Sequence, residues 1–349
     1  MKNISVANSS ASNRANLVHV IINLIMYDKF TEFLKDKQHI CVIQAENPDG
    51  DSLGSALALE DALADKEVSL YCPVEIPKYM RYFEGWSRVE LDFAYRADAI
   101  IIVDTAATVL LSKLLDDPAI RNCLYATPVF VIDHHESEAD LDFPYESIIE
   151  PLSSNCALIY KILKDQNIKI SAQCAENLLY GILSDTLGLT SQSTTSEDFR
   201  IAADLIDCGL SVADLEERRR ELSKKSARIL DYKADLIKRI EYHLDGTLAT
   251  VLIPFEDIQE YSDEYNPNIL ILEELRMVEG VEVAISMKTY PDGKLTGKIR
   301  TSKPIAHEIA GYFGGGGHPY AAGFRVYEDY DEVIRELIDV VDRLMHENA

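Results

Sequence analysis

The chain is poor in positive charge: 34 lysines and arginines face 59 aspartates and glutamates, a formal net charge of −25 over 349 residues. Such an imbalance repels long polyanions and leaves no broad basic face for counterion release from a duplex, so any nucleic-acid substrate is short and single-stranded. The six cysteines, Cys41, Cys72, Cys123, Cys156, Cys174 and Cys208, include no close pair. That excludes a zinc knuckle or a dithiol redox motif and fits reduced thiols in a cytoplasmic protein. The longest early apolar run, Val18 to Met26, is too short to cross a bilayer and carries no leader-cleavage signature, so no membrane partner is expected. The glycine run Gly314 to Gly317 lacks the lysine and Ser/Thr of a P-loop and the spacing of a dinucleotide fingerprint.

What is present reads as an ordinary globular composition, 47% hydrophobic and 27% charged. At this length one core rarely organises the whole chain, and two domains with a connector are expected. The fold class is α/β: a doubly wound, mainly parallel N-terminal sheet domain, a helical connector, and a smaller C-terminal α/β domain with a mixed sheet. The boundaries fall at residues 1–37 for an N-terminal helical segment (a surface-packed helix from Ala15 to Leu34), 38–192 for the first domain, 193–242 for the connector and 243–349 for the last domain.

Three continuous apolar runs carry the first domain: HICVIQA at residues 39–45, AIIIVD at 99–104 and PVFVID at 128–133. Runs without polar alternation suit parallel strands covered on both faces. Ligands of such sheets bind beyond the carboxyl ends of the strands, so Asp49, Asp51, Asp104 and Asp133 are expected to converge on one crevice. Helical patterns follow from Asn155 to Lys164 and from Ala172 to Leu183, with Asp185 at the end of the second. Beyond the charged connector, strands at Thr247 to Ile253, Val281 to Lys288 and Gly293 to Arg300 precede a glycine-rich loop and a final helix from about Asp331 to Met345.

Asp49 and Asp51, two apart around Gly50, can face one cation, although Asp-Gly is also a common turn. Asp104 ends an apolar run, where a carboxylate is held rigidly; a helix cap is the other reading. The decisive segment is VIDHHES, which sets His134 and His135 beside those carboxylates. Oxygen donors with one or two imidazoles suit manganese, with magnesium as the alternative, better than a thiolate zinc site. A pair of ions about 3.5 to 4 Å apart is suited to hydrolysing phosphate esters. The glycine run with His318, Lys298 and Arg300 reads as a phosphate cradle or as a flexible loop.

Taken together, NPDGDSLGSALAL, IIIVDTA, VIDHHES, the SDT at Ser184 to Thr186 and GGGGHPYAAGF resemble the DHH phosphoesterases with a DHH-associated C-terminal domain, over about residues 38 to 330. The likeness is strongest to the bacterial nanoRNases that also dephosphorylate 3'-phosphoadenosine 5'-phosphate (pAp). It implies that Asp49 and Asp104 hold one metal, that Asp51, Asp104, His134 and Asp185 hold the other, and that Asp104 bridges them. It places His135 toward the scissile phosphate, with Asp104 and His135 as the catalytic pair. Arg300, Ser302, Gly315, Gly316, Gly317 and His318 would grip the substrate from the C-terminal domain. Implied substrates are short single-stranded RNA or DNA, dinucleotides or nucleotide phosphates.

The sequence departs from the family pattern at one position. The first motif normally opens with a histidine four residues before the first aspartate, and Ala45 stands there. A methyl group offers no lone pair, so the first ion would depend on water, substrate or a neighbour such as Glu46 or Asn47. Two other functions remain open: a phosphodiesterase acting on cyclic or linear dinucleotides, and a nucleotide-binding protein whose catalysis was lost with that histidine. The connector's exposed faces could also support a homodimer.

Overall fold

Each of the three apolar runs becomes a strand of one sheet. In the computed structural model, which describes residues 26–135, 139–222 and 224–347, the chain divides into two compact units after Leu222. The first unit contains β1 (His39–Ile43), β2 (Glu67–Tyr71), β3 (Val89–Glu90), β4 (Ala99–Val103), β5 (Val129–Asp133) and β6 (Glu146–Ile149). Among the described residues these pair in parallel in the order β3-β2-β1-β4-β5-β6, with Ile43 beside Ile102 and Val103 beside Ile132. The order reverses between β1 and β4, and the carboxyl ends of those two strands therefore open a crevice.

Both faces of this sheet are covered, which explains the unbroken apolar runs. Ile40, Val42, Ile101, Val103 and Ile132 pack under the helices Gly50–Ala62, Asn155–Asp165 and Ala172–Asp185. Cys41, Ile43, Ile100, Ile102 and Val131 face the other way, against Ile120 and Leu124 of the helix Pro118–Ala126. Two glycines inside helices serve close packing. A Cβ at Gly54 would lie 2.6 Å from the carbonyl oxygen of Asn177, and one at Gly181 would lie 2.1 Å from Cys156 Sγ. Residues 26–34 are helical, with Phe30 and Leu34 buried, while the first part of the N-terminal helix expected from Ala15 lies outside the described residues.

The stretch read as a connector divides between the two units. The helices Ser196–Ile206 and Val212–Leu222 bury Leu205 and Leu215 in the first core, whereas Ala227–Lys238 buries Ile229 and Leu236 in the second unit. Amphipathic helices seek whichever core is near, and a charged surface pattern does not reveal which one.

The second unit holds β7 (Glu241–His243), β8 (Leu248–Ile253), β9 (Val283–Thr289), β10 (Leu295–Thr301), β11 (Gly316–His318) and β12 (Ala321–Val326). Their order is β11-β12-β10-β9-β8-β7, with β8 and β9 parallel and the other pairs antiparallel, so the sheet is mixed. One face packs on the helices Ala306–Tyr312 and Tyr330–Glu347, the other on Ala227–Lys238 and Pro267–Arg276. The glycine-rich stretch corrects the expectation of a loop: Gly316, Gly317 and His318 form β11, paired with Gly323, Ala322 and Ala321. A Cβ at Gly315 would lie 2.2 Å from the carbonyl oxygen of Gly323, so the glycines permit a close crossing of main chains.

Candidate metal centre and basic strip

Asp49 and Asp51 leave the end of β1 with different surroundings. Asp49 is the exposed N-cap of the Gly50–Ala62 helix; its Oδ1 accepts the amides of Asp51 (3.0 Å) and Ser52 (2.9 Å). Asp51 is 1% exposed, and its carboxylate sits on the N-terminus of the Asn155–Asp165 helix. There Oδ2 accepts from the Asn155 amide (2.5 Å) and Oδ1 from the Cys156 amide (2.9 Å), a position where aligned peptide dipoles favour an anion. Gly50 lets the start of its own helix lie against the end of the Ala172–Asp185 helix, since a Cβ there would lie 2.4 Å from Ser184 Oγ.

Asp104 follows β4 with φ 65°, a left-handed conformation that aspartate tolerates better than most residues. Its Oδ1 is buried and accepts no hydrogen bond. Asp185 is the last residue of its helix, and His134 follows β5. His134 Nδ1 lies 3.0 Å from the carbonyl oxygen of Leu152 and must donate to it, which leaves the Nε2 lone pair toward the carboxylates. Nε2 is 3.3 Å from Asp104 Oδ1, 3.7 Å from Asp185 Oδ2 and 3.8 Å from Asp51 Oδ2.

A lone pair facing the buried carboxylates of Asp51 and Asp104 and the half-buried one of Asp185 is repulsive unless positive charge lies among them. The arrangement therefore binds protons or a cation. Burial raises Asp185 to about 8, helped by Asp51, and burial likewise raises Asp51 and Asp104. For His134, burial acts downward, but the carboxylates of Asp104, Asp51 and Asp185 outweigh it and lift the imidazole to about 11. Two donor sets lie within 4.8 Å, one of Asp51, His134 and Asp185 and the other of Asp104, His134 and His135. Hard oxygens with an imidazole, an orphaned buried oxygen and an oriented Nε2 fit a divalent cation. Because Nε2 offers a single lone pair, the two sets share one histidine that can serve one ion. Asp49 falls outside both sets, although it is near enough to raise Asp51, Asp104 and Asp185.

His135 is held through Nδ1, 2.7 Å from Asp133 Oδ1, which also accepts the His135 amide at 3.2 Å; Asp133 is 2% exposed. Asp133 thus orients His135 instead of joining the donor sets. Ala45 is buried. Its neighbour Glu46 uses Oε2 to accept from Ser112 Oγ and the Lys113 amide, both at 2.8 Å, and Asn47 is exposed.

In the second unit, strand register gathers the cations expected from the sequence. Cross-strand partners share a face. Lys298 lies beside Ser286 and Gly323, Arg300 beside Ala284 and Ala321, and Thr296 beside Lys288 and Arg325; His318 faces Ala321. Lys288, Lys298, Arg300, Arg325 and His318 therefore share one side of the sheet, floored by Gly316 and Gly323. Lys288 is buried, donates to Asn266 Oδ1 at 3.0 Å and is pushed down to about 8 by burial, with Lys298 nearby adding to the effect. Arg300 donates to the carbonyl oxygen of Ile299 at 2.9 Å. Ser302 donates its hydroxyl to the Glu282 carboxylate.

Sequence reasoning missed the segment Leu152 to Cys156. It meets His134 through a carbonyl and Asp51 through two amides, and main-chain groups leave no residue-type signal. Lys288 and Arg325 were missed because register alone brings them to Lys298 and Arg300.

Comparison with known proteins identifies the two domains. Residues 39–182 match the DHH family N-terminal domain and residues 259–347 the DHHA1 domain. The bifunctional oligoribonuclease and PAP phosphatase NrnA of Thermus thermophilus is 26% identical over 299 residues, covering 84% of this chain and 86% of that protein. A probable manganese-dependent inorganic pyrophosphatase of Enterococcus faecalis is 31% identical over 206 residues, 55% of this chain and 64% of that protein. The crystal structure of an exopolyphosphatase-related protein from Bacteroides fragilis superposes with a TM-score of 0.80 at 21% identity, over 91% of this chain and 96% of that one, and so shares the fold. The protein belongs to the DHH family, with a DHH N-terminal domain followed by a DHHA1 domain.

Proposed function

We infer that the protein is a metal-dependent phosphoesterase that hydrolyses very short single-stranded oligonucleotides, dinucleotides or nucleotide phosphates such as pAp. The observation that carries this reading is His134 Nε2 lying 3.3 to 3.8 Å from the carboxylates of Asp104, Asp185 and Asp51. The relative from Thermus thermophilus, named an oligoribonuclease and PAP phosphatase over most of both chains, supports the substrate class. Manganese, with magnesium as the alternative, is the proposed ion, in keeping with the name of the Enterococcus faecalis relative.

Asp51, Asp104, His134 and Asp185 would hold the tighter ion. Asp49 and Asp104 would hold a weaker second one, because Ala45 contributes no ligand and Glu46 is tied to Ser112 and Lys113. Such ions supply Lewis acidity toward a phosphoryl oxygen and lower the pKa of water. His135, fixed by Asp133, would hydrogen-bond the reacting phosphate. Lys298, Arg300 and His318 would grip a second phosphate or the base of the substrate, with Gly315, Gly316 and Gly317 allowing close main-chain approach. Ser302 would steady that strip through Glu282.

The test is hydrolysis by purified protein with manganese of pAp, a diribonucleotide, a longer RNA and a cyclic dinucleotide, together with metal stoichiometry by elemental analysis. The expected result is turnover of pAp or the diribonucleotide, slow turnover of the longer RNA, and Ala45→His tightening the second ion. Nucleotide binding without turnover, unrescued by Ala45→His, would replace the enzyme with a nucleotide-binding protein; preference for the cyclic dinucleotide would replace the substrate class.

A further inference from the structure

Ser153 lies between the two contacts that steady the metal centre. Leu152 accepts from His134, and the amides of Asn155 and Cys156 hold Asp51. Ser153, itself buried, donates its hydroxyl to Oδ1 of Asp198 on the Ser196–Ile206 helix. The other oxygen, Oδ2, accepts from the Thr195 amide at 2.6 Å and from Thr195 Oγ1 at 3.0 Å, closing a capping box. One carboxylate thus caps a helix and anchors a strap that touches two proposed ligands.

Asp198 is 4% exposed, and no ion pair accompanies it among the described residues. A capping box needs only one oxygen, and a buried carboxylate is costly unless both oxygens are hydrogen-bonded; here Thr195 satisfies one and Ser153 the other. A neutral glutamine or serine would cap as well. The second oxygen is directed at Ser153, and only there does the burial gain a purpose beyond the cap.

We propose that Asp198, acting through Ser153, is a positioning residue for the metal centre: it fixes the Leu152–Cys156 strap, and through it the Nδ1–H tautomer of His134 and the orientation of the Asp51 carboxylate. The inference rests on the metal reading above and adds to it. Outer partners of ligating histidines and carboxylates change metal affinity by about ten- to a hundred-fold when removed.

The test separates anchoring from capping in the full-length protein. Manganese affinity is measured by titration calorimetry and electron paramagnetic resonance, the His134 tautomer by ¹⁵N NMR with diamagnetic magnesium in place of manganese, and folding by thermal melts. Ser153→Ala breaks the anchor and spares the cap; it should weaken manganese binding about ten-fold or more and disturb the His134 nitrogen signals. Ser153→Thr retains the hydroxyl and should restore both. Thr195→Ala weakens the cap and should lower Tm while leaving manganese affinity unchanged. Should Ser153→Ala fail to fold, Asp198→Ala, which removes anchor and cap together, read against Thr195→Ala for loss of the cap, gives the same readout. Wild-type affinity in both Ser153→Ala and Asp198→Ala would overturn the inference alone, whereas wild-type protein that binds no manganese would sink the metal reading together with it.

Discussion

At the scale of the residue, Asp49 has two roles that can be separated. As an N-cap it satisfies the amides of Asp51 and Ser52, and as a proposed ligand it adds charge beside Asp104. Asparagine caps a helix about as well as aspartate, whereas alanine loses about 1 kcal/mol. Asp49→Asn should therefore leave Tm unchanged and lower manganese stoichiometry or kcat. Asp49→Ala should lose both stability and metal. Equal manganese content in wild type and Asp49→Asn, measured by elemental analysis, would reduce Asp49 to a cap. The sequence suggested that Asp49, Asp51, Asp104 and His134 meet, because each follows or ends an apolar run whose strand direction is set by composition. It did not assign roles among them. Asp133 proved to be the partner of His135, a distinction that depends on which face of β5 a side chain takes.

At the scale of the element, three helices meet through glycine. In an exposed helix, replacing glycine by alanine stabilises by roughly 0.5 to 1 kcal/mol. At Gly181 the new methyl would lie 2.1 Å from Cys156 Sγ and 3.1 Å from Asp51 Oδ1. Gly181→Ala should instead destabilise by about 1 to 3 kcal/mol and, by shifting Asp51, lower activity. Cys156→Ala should relieve part of that loss, so a double-mutant cycle in denaturant should show clear coupling; strict additivity would show that the helices adjust elsewhere. An isolated glycine in a helical pattern carries no mark of such contact. The same limit explains which strands were legible: β1, β4 and β5 are largely apolar runs, whereas β2 (EVSLY) and β6 (ESII) mix polar with apolar residues and β3 (VE) is only two residues long. β11 escaped notice because a glycine run reads as a loop until a partner strand is known.

For the whole molecule, the net charge of −25 sets the response to salt. Lys288, Lys298, Arg300 and Arg325 are the cations of the proposed strip, so substrate release of counterions involves at most about four charges. The log–log dependence of kcat/KM on monovalent salt for a diribonucleotide should be no steeper than about −3, and screening of the overall negative field should flatten it further. A slope near that of an extended nucleic-acid binder, measured between low and physiological salt, would point to a basic path that the strip does not explain. Among the described residues no helix is long and apolar enough to cross a membrane. Two domains were expected from length and from the run of helices between two sets of strands; the border after Leu222 was not, because the intervening helices look alike in charge and pattern. That border has an evolutionary consequence. Every proposed metal ligand precedes it and every proposed substrate-gripping cation follows it, and each side has its own core. Recombination at this seam would exchange the recognised molecule while the hydrolytic apparatus passed intact to the descendant.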